Sequence, residues 1–458
     1  MAKITLNPVT RISGLLSIEV LLEKNRIVEE AFCRGEQFRG FELMLKGRDI
    51  FDAVYLSERV CGICSMAHGF TAANLIRQIY QIKLSREARI LEQLMLGAEF
   101  LQNHIRHFYL LALPDYMDCQ FFTSNPPSQE PSRFSISEQQ QLLEHYYAAI
   151  DYSAKCHEMQ AIFGGKAPHQ HGLTAAGITV IPTADHRLQF IALLESVQEF
   201  IQEEMLPDAY RLAAIYPDYF EIGTRPARFI SFGLFDPSYG GSFLSGVYDN
   251  SSILTLKNNQ IDENITYAWF KELDSIQQPD PEKPGAYSWV KAPRYKSLAF
   301  EGGPLARKII SAGLQKTTDK APLTGTMARL VARAEEASLI ASWMNKWIHS
   351  LPEHGEYIKE FNKPVFQHAT QMNDAPRGPL LHSMSVQDNQ IASYNIITPS
   401  TWNFSPKDEY GQSGPVEEAL VGTTINDPGN PVEIGRIIRS FDPCLSCGTH
   451  HISIKKES

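Results

Sequence analysis

The sequence predicts a mainly α-helical α+β protein, with β additions around a large helical-bundle core and an N-terminal β-hairpin. Three observations favour this class. Apolar residues recur every three or four positions over long stretches, short apolar and polar runs alternate near the start, and residues 221–322 are rich in Gly, Pro, Tyr and Ser. Because helices repeat every 3.6 residues and strands every two, these patterns separate helical from stranded parts.

The first predicted element is the hairpin, within residues 3–34. Residues 16–21 (LSIEVL) alternate apolar and polar side chains, as a half-buried strand does. The polar run 24–26 (KNR) then breaks the alternation and supplies the turn.

A long amphipathic helix is predicted to follow from Ser85. Its apolar positions are three or four residues apart, at Ile90, Leu94, Ala98, Leu101, Ile105, Phe108 and Ala112. Ser85 is a suitable N-cap, and Pro114 is expected to end the helix.

Similar helical patterns cover about residues 137–163, 186–215 and 325–350. Residues 221–322 are predicted to form an irregular, partly stranded insertion, and the last hundred residues to be rich in loops. Without an internal repeat or a low-complexity linker, residues 1–458 are expected to form a single domain.

The composition argues against several classes of function. The net charge is −10 and basic residues form no block, which is unlike a nucleic-acid-binding surface. No apolar run is long enough to span a membrane, and the first residues do not resemble a signal peptide. We therefore expect a soluble protein synthesised in the cytoplasm, for which export or membrane association would depend on a partner.

Two Cys-x-x-Cys pairs are the most informative feature: Cys61 with Cys64, and Cys444 with Cys447. Three interpretations compete. Four thiolates can form a structural zinc site, one pair can act as a redox dithiol, or both pairs can converge on a catalytic metal. The pairs are separated by 444 − 64 = 380 positions, whereas the halves of zinc ribbons usually lie much closer in sequence. Spacing alone leaves the choice open.

The surrounding motifs narrow the choice. Five segments occur in a characteristic order: 8–12 (PVTRI), 38–42 (FRGFE), 59–64 (RVCGIC) with His68, 375–378 (APRG) and 439–450 (RSFDPCLSCGTH). Together they make the whole chain resemble the large (catalytic) subunit of nickel–iron hydrogenases. The resemblance implies a buried central nickel held by all four cysteines, with Cys64 and Cys447 bridging to an iron that carries one CO and two cyanides. H2 would be cleaved heterolytically there, and Cys444 would receive the proton first.

The resemblance also assigns surrounding residues. Arg377, between Pro376 and Gly378, would donate to one cyanide, and Ser400 to the other. His68 would donate toward a bridging sulfur, and Asp442 would pair with Arg377 or orient the cysteine loop.

A second metal is implied near the end of the chain. Glu42, the backbone carbonyl of Ile396 and His450 resemble the ligands of a magnesium site, completed by waters.

Two departures from the family pattern concern proton handling. Ser13 occupies the position where the family usually has a glutamate that accepts the proton, and Asn103 replaces a common aspartate. A hydroxyl cannot hold a proton as a carboxyl group does, so either a water chain through Ser13 or a substitute carboxylate, Glu58, is expected to carry it.

The resemblance further implies partners: an iron–sulfur small subunit in a heterodimer, and maturation proteins that include an endopeptidase. Residues 451–458 follow His450 and are either a cleavable extension or a permanent tail. Two other functions remain open at this stage, a hydrogen sensor with low turnover and a metal-free structural subunit like that of respiratory complex I.

Overall fold

The computed structural model of the protein describes residues 2–118, 131–250, 252–273, 276–313, 324–352, 354–360 and 363–448. The predictions for His450 and for residues 451–458 lie outside this part of the chain. The helices of the described part are α1 (Phe41–Leu45), α2 (Asp52–Glu58), α3 (Ser65–Tyr80), α4 (Arg86–Arg106), α5 (Ile136–Gly164), α6 (Ala184–Phe200), α7 (Leu206–Ile215), α8 (Pro304–Gly313), α9 (Thr326–His349), α10 (Pro399–Asn403), α11 (Pro415–Leu420), α12 (Val432–Ser440) and α13 (Leu445–Gly448).

The strands are shorter and form several small sheets. They are β1 (Ala2–Leu6), β2 (Leu16–Leu22), β3 (Val28–Gly35), β4 (Leu173–Thr174), β5 (Gly177–Ile178), β6 (Arg228–Leu234), β7 (Phe243–Asp249), β8 (Ser252–Leu254), β9 (Ile261–Asn264), β10 (Phe270–Leu273), β11 (Ile276–Pro279), β12 (Ala292–Tyr295), β13 (His368–Ala375), β14 (Gly378–Gln387) and β15 (Gln390–Ile397).

The predicted α+β class is confirmed. Helices α4, α5, α6 and α9 pack on one another and form the bundle, whose apolar faces belong to one large buried cluster. The predicted hairpin is present as β2 and β3, and β1 pairs antiparallel with β2 to extend it to three strands. Ser85 caps α4 as expected, since its hydroxyl accepts from the Ala88 amide at 3.1 Å.

The long helix ends differently from the prediction. Helix α4 stops at Arg106 and continues as a π-helical turn, His107–Ala112, before a short 3-10 turn that contains Pro114. A second π-helical turn, Ile201–Met205, separates α6 from α7 within the predicted helix 186–215. The period of apolar residues does not reveal such turns, because each inserts only about one residue into an α-helical pattern.

Two regions are more regular than expected. Helix α8 lies within the stretch predicted to be irregular, and β13, β14 and β15 form an antiparallel sheet within the stretch predicted to be loops. Strand β14 is buried at most of its positions, so its sequence shows no alternation that would reveal a strand. Helix α3 packs on this sheet, which brings the first cysteine pair close to the turn between β13 and β14.

Candidate metal centre

The two cysteine pairs converge, as the sequence predicts. Cys64 is the N-cap residue of α3, and Cys447 lies in α13. Cys61 Sγ is 3.4 Å from Cys444 Sγ, and Cys64 Sγ is 3.5 Å from Cys447 Sγ. Cys444 and Cys447 approach to 2.9 Å between their sulfurs. All four ligand atoms lie within 4.8 Å of one another and are buried.

This donor set fits one thiophilic metal ion. Metal–sulfur bonds of about 2.3 Å place the sulfurs of a tetrahedral site about 3.8 Å apart. The four cysteines are free thiols, with no disulfide among them. Hydrogen bonds from the neighbouring thiols, Cys447 first, and the charge of Arg377 hold the pKa of Cys444 well below its usual range despite burial. Cys444 is therefore disposed to provide thiolate, the form that binds metal, whereas the hydrogen bond with Cys444 raises the pKa of Cys64 and burial raises the pKa of Cys447.

The backbone just after the first motif (residues 8–12) is hydrogen-bonded to the backbone on either side of Cys444. The amide of Ser13 donates to the Pro443 carbonyl at 3.2 Å, and the Leu445 amide donates to the Ser13 carbonyl at 2.7 Å. Gly14 has φ +83°, and a Cβ there would lie 2.3 Å from the Ser446 nitrogen. Only glycine permits this close approach of two backbones.

Arg39 joins the two cysteine loops. Its Nη1 donates to the Val60 carbonyl at 2.6 Å and to the Ser446 carbonyl at 3.0 Å, while Nη2 donates to the Arg59 carbonyl at 2.9 Å. One planar guanidinium thus binds the backbone before Cys61 and the backbone beside Cys447. The rigid fork of donors makes arginine suited to this task.

Arg377 lies beside the cluster and pairs with Asp442. Its Nε is 2.9 Å from Asp442 Oδ1, and both side chains are buried. Although burial acts in the opposite direction, Asp442 and the cysteine thiolates raise the pKa of Arg377. The Nη1 atom of this guanidinium is buried and has no hydrogen-bond partner among the described residues. An unpaired buried donor is costly, so this nitrogen is well placed for an acceptor supplied by a bound group.

The backbone before Arg377 is fixed by hydrogen bonds from a second buried arginine, Arg307. Arg307 Nη2 donates to the Pro376 carbonyl at 2.9 Å, and Arg307 Nη1 donates to the Ala375 carbonyl at 3.1 Å. Gly378 has φ +128°, and a Cβ there would meet the Gly303 nitrogen at 2.7 Å. The turn that carries Arg377 is therefore fixed by a buried arginine and by close backbone contact.

Asp442 has two further partners that the sequence did not indicate. Arg333 Nη1 is 3.1 Å from Asp442 Oδ2, and Asn103 Nδ2 donates to the same oxygen at 2.8 Å. Against the effect of burial, Arg377, the neighbouring His107, Arg333 and Asn103 lower the pKa of Asp442. The side-chain amide of Asn103, the position where the sequence departs from the family pattern, thus acts as a donor to Asp442.

Ser400 and His68 each contact the backbone of a clustered cysteine. Ser400 Oγ accepts from the Cys444 amide at 2.9 Å, which leaves its own hydrogen for another acceptor. His68 lies in the first turn of α3, and its backbone amide donates to the Cys64 carbonyl at 3.3 Å. Burial lowers the pKa of His68 to about 4, so the imidazole is neutral.

Two of the three predicted magnesium ligands are adjacent. Glu42 Oε1 accepts from the Ile396 amide at 2.9 Å, and burial raises the pKa of Glu42. Lys291 and Glu263 complete the surroundings, with Lys291 Nζ 3.9 Å from Glu42 Oε2 and 3.8 Å from Glu263 Oε2. His450 lies outside the described residues.

The two candidates for proton transfer have different environments. Ser13 Oγ is 3.1 Å from Ser446 Oγ, in the loop between Cys444 and Cys447. Glu58 is fully buried, and neither carboxylate oxygen has a hydrogen-bond partner among the described residues. Burial raises the pKa of Glu58 to about 9, although Arg59 lowers it.

Sequence reasoning missed a third carboxylate. Glu99 on α4 accepts from the Met66 amide at 2.6 Å and from the Ala67 amide at 2.9 Å, at the start of the helix that carries Cys64. Burial raises the pKa of Glu99 to about 8. No sequence signal identified Glu99, because the residues around it on α4 are mostly apolar and form no motif. Only the fold brings its carboxylate to the N-terminus of α3.

None of the described helices is both long enough and apolar enough to cross a membrane. Within the described part of the chain, the four cysteines are also the one group of three or more His, Cys, Asp or Glu side chains arranged to hold a metal ion.

Comparison with known proteins identifies the family. The profile of the nickel-dependent hydrogenase family matches residues 39–141 and 128–450. The periplasmic [NiFeSe] hydrogenase large subunit of Desulfomicrobium baculatum is 36% identical over 489 residues, which covers 98% of this chain and 95% of that protein. The hydrogenase-2 large chain of Escherichia coli K12 is 26% identical over 552 residues, with 98% and 97% covered.

Solved structures agree over the same length. A structure of H2-activated Dm. baculatum [NiFeSe]-hydrogenase superposes with a TM-score of 0.91 at 35% identity, covering 98% of this chain and 100% of that one. The reduced Ni-Fe-Se hydrogenase of D. vulgaris Hildenborough gives the same TM-score at 34% identity, with the same coverage. Although both names include selenium, the clustered residues here are all cysteines. This chain belongs to the nickel-dependent hydrogenase family, as a large subunit and an oxidoreductase that acts on H2.

Proposed function

We propose that the four cysteines hold a nickel–iron centre, with Cys61 and Cys444 bound to nickel alone and Cys64 and Cys447 shared with an iron that carries one CO and two cyanides. The observation that supports this most strongly is the set of four buried sulfurs within 4.8 Å. When bound, such a centre supplies a site for heterolytic cleavage of H2, which we propose to run mainly toward oxidation. Residues 1–458 would act as one catalytic unit.

The cyanides would be bound by donors already in place. Arg377 Nη1 is a buried donor without a partner among the described residues, and a cyanide nitrogen is a suitable acceptor. The Ser400 hydroxyl, which accepts from the Cys444 amide, retains one hydrogen for the second cyanide. Pro376 would serve through its backbone, because Arg307 fixes its carbonyl and so the turn that carries Arg377.

The proton from H2 would be accepted by the Cys444 thiolate and passed on by nearby groups. Ser13 is a candidate because its carbonyl and amide bond to residues on either side of Cys444, and its hydroxyl contacts Ser446. Glu58 is the other candidate. A buried carboxyl with a pKa of about 9 is protonated at neutral pH, so Glu58 would pass its own proton onward before it takes up the next one.

Glu42, the Ile396 carbonyl and His450 would hold magnesium. Glu42 and Ile396 are neighbours, since the Ile396 amide donates to the Glu42 carboxylate, and Lys291 would neutralise the charge of Glu42 around the ion's waters.

Electrons would leave through an iron–sulfur small subunit in a heterodimer. Relatives are named as large subunits or large chains, and the described residues offer no second cysteine cluster that could hold an iron–sulfur centre. We further propose that maturation proteins insert the metals, and that an endopeptidase acts on residues 451–458. The chain would be made in the cytoplasm and reach a membrane or the periplasm with its partner; the name of the Dm. baculatum relative includes "periplasmic".

The two alternative functions have less support. The matched relatives are named as hydrogenases, which does not favour a metal-free structural subunit. A hydrogen sensor would use the same cysteines, and it differs from an enzyme in turnover with an artificial electron acceptor.

Infrared spectroscopy of the purified complex, with nickel and iron quantified in the same sample, tests the proposal. We expect one carbonyl band and two cyanide bands that change under H2, with one nickel per complex and more iron than nickel, because the iron–sulfur partner also contains iron. A complex that contains zinc or no metal, and that stays so when maturation proteins are co-expressed, would refute it.

A matched pair of variants locates the centre. Cys447→Ser should abolish the bands, because a bridging thiolate is lost. Cys156→Ser makes the same change at a buried thiol of α5 outside the cluster, and should preserve them. Bands that survive in Cys447→Ser would show that the metals are held elsewhere.

A further inference from the structure

Three hydrogen-bonded side chains extend from the cysteine cluster into the neighbouring sheet. His68 Nδ1 lies 3.1 Å from His382 Nε2, and His382 Nδ1 lies 2.8 Å from the hydroxyl of Tyr394. Their exposed fractions are 1%, 0% and 6% for His68, His382 and Tyr394, so bulk water does not compete for these bonds. Neither His382 nor Tyr394 has a role in the proposed function.

The fold places these three side chains together. In the pairing of β14 with β15, His382 is opposite Ile396 and Met384 is opposite Tyr394, so His382 and Tyr394 are diagonal neighbours on one face. Helix α3 packs against this sheet, and Thr71 Oγ1 donates to Asn373 Oδ1 of β13 at 2.9 Å. The register of the sheet and the packing of α3 on it therefore fix the distance between the imidazoles of His68 and His382.

The direction of the hydrogen bonds follows from Tyr394. Burial raises the pKa of its phenol, which therefore keeps its hydrogen. The acceptor next to this hydroxyl is Nδ1 of His382, so Nδ1 carries no proton and the proton of the ring is on Nε2. That Nε2–H donates to Nδ1 of His68, which places the proton of His68 on its own Nε2, at the opposite side of the ring.

We propose that Tyr394 and His382 are positioning residues that fix His68 as the Nε2-protonated tautomer, so that it presents an N–H donor to the cysteine cluster. This inference rests on the proposed function, because the acceptor would be a metal-bound thiolate. His68 lies one helical turn after Cys64, and the negative charge of Cys444 acts on its ring. Hydrogen bonds from outside the ligand set tune the electron density that a ligand gives to its metal. A thiolate that accepts a hydrogen bond gives less electron density to the metal than one that does not.

The test is Tyr394→Phe in the assembled, metal-loaded complex. Without the phenol, the hydrogen bond that favours the Nε2–H form of His382 is lost, and the tautomer of His68 is no longer held through it. The thiolate then gives more electron density to the iron, so the carbonyl band should move to lower wavenumber. Turnover should fall about 10-fold, as for other residues that orient metal ligands.

Two comparisons separate orientation from mere packing. Tyr116→Phe removes another buried hydroxyl, one with no hydrogen-bond partner among the described residues, and should leave the carbonyl band at its native position. His382→Gln keeps an acceptor for Tyr394 and a donor for His68, and should stay close to native, whereas His382→Leu should reproduce the shift of Tyr394→Phe.

The outcomes distinguish this inference from the proposed function. If the native complex shows no carbonyl or cyanide bands, the proposed function fails. If it shows them and both Tyr394→Phe and His382→Leu leave the carbonyl band unmoved, the inference is overturned, even where their melting temperatures fall.

Discussion

Arg377 and Asp442 form a buried ion pair, with Nε 2.9 Å from Oδ1, that ties the turn between β13 and β14 to the loop of the last two cysteines. Asp442 adopts φ +56° and stands two residues before Cys444, so the pair restrains the backbone of a proposed metal ligand. Arg333 contacts the other carboxylate oxygen, and one acid thus balances two arginines in the interior.

Replacing this acid should cost considerable stability. In Asp442→Asn, Arg377 and Arg333 would remain buried without their counter-charge. Breaking a buried pair in this way typically costs about 3–5 kcal/mol. The measurement is chemical denaturation of the assembled complex, with the exposed Asp388→Asn as control. Equal stability of the two variants would mean that Asp442 does not compensate the arginines.

Gly14 should be essential for closing the cysteine loop. Gly14→Ala would place a Cβ 2.3 Å from the Ser446 nitrogen, so the backbones around Cys444 must separate and nickel content should fall. Gly47→Ala is a matched control, because Gly47 also has a positive φ, +80°, but open space around its Cβ position. The strain of the positive φ, about 1–2 kcal/mol, is common to both. Nickel bound per complex is the measurement, and a similar loss in both variants would contradict the expectation.

Glu58 and Ser13 can be separated as proton carriers. If Glu58 carries the proton, Glu58→Gln should lower turnover by about 100-fold, within the range of general acid–base catalysis, and leave the infrared bands intact. Ser13→Ala should have this effect if the hydroxyl route operates. Turnover and bands are measured for both variants, since loss of the bands would indicate a damaged centre instead. A Glu58→Gln enzyme with native turnover would remove Glu58 from the path.

Stability should depend on pH through His145. Its Nδ1 is 2.6 Å from Asp208 Oδ2, and its Nε2 is 2.7 Å from Glu204 Oε2. The hydrogen bond to Asp208, opposed by burial, raises the pKa of His145 above its ordinary value of 6.5. The folded protein therefore binds this proton more tightly than the unfolded chain does. The stabilisation should be complete below pH 6.5 and should be lost as the pH rises through the pKa of the folded state.

Denaturation curves across this pH range, compared with His145→Gln, check the expectation. The variant should lose this part of the pH dependence, whereas His354→Gln, at an exposed histidine, should keep it. A native slope in His145→Gln would assign the effect to another group.

Features set by local chemistry could be predicted from sequence. The Ser85 cap and the helices near 137–163 and 325–350 follow from side-chain type and spacing, and the structure has them within a residue or so. The convergence of the cysteines was predicted from the family resemblance that the ordered motifs carry, because spacing alone left it open.

Buried charges could not be predicted in this way. Arg333 and Glu99 lie on helices, where charged residues usually face solvent, and their partners belong to other elements. Lys291 lies beside Glu42 only because distant segments meet. Such pairings depend on the whole fold, since a charge is tolerated inside only where a counter-charge or donor meets it.

The contact between Ser13 and the Cys444 loop has a consequence for biosynthesis. Cys61 and Cys64 leave the ribosome long before Cys444, with 380 positions between the pairs. At roughly 5–20 residues per second, translation of that stretch takes on the order of 20–75 s. During this interval Cys61 and Cys64 exist without Cys444 and Cys447, and the backbone of Ser13 has no cysteine loop to bond to. Metal delivery must therefore wait for the end of translation or use a chaperone that guards the early pair.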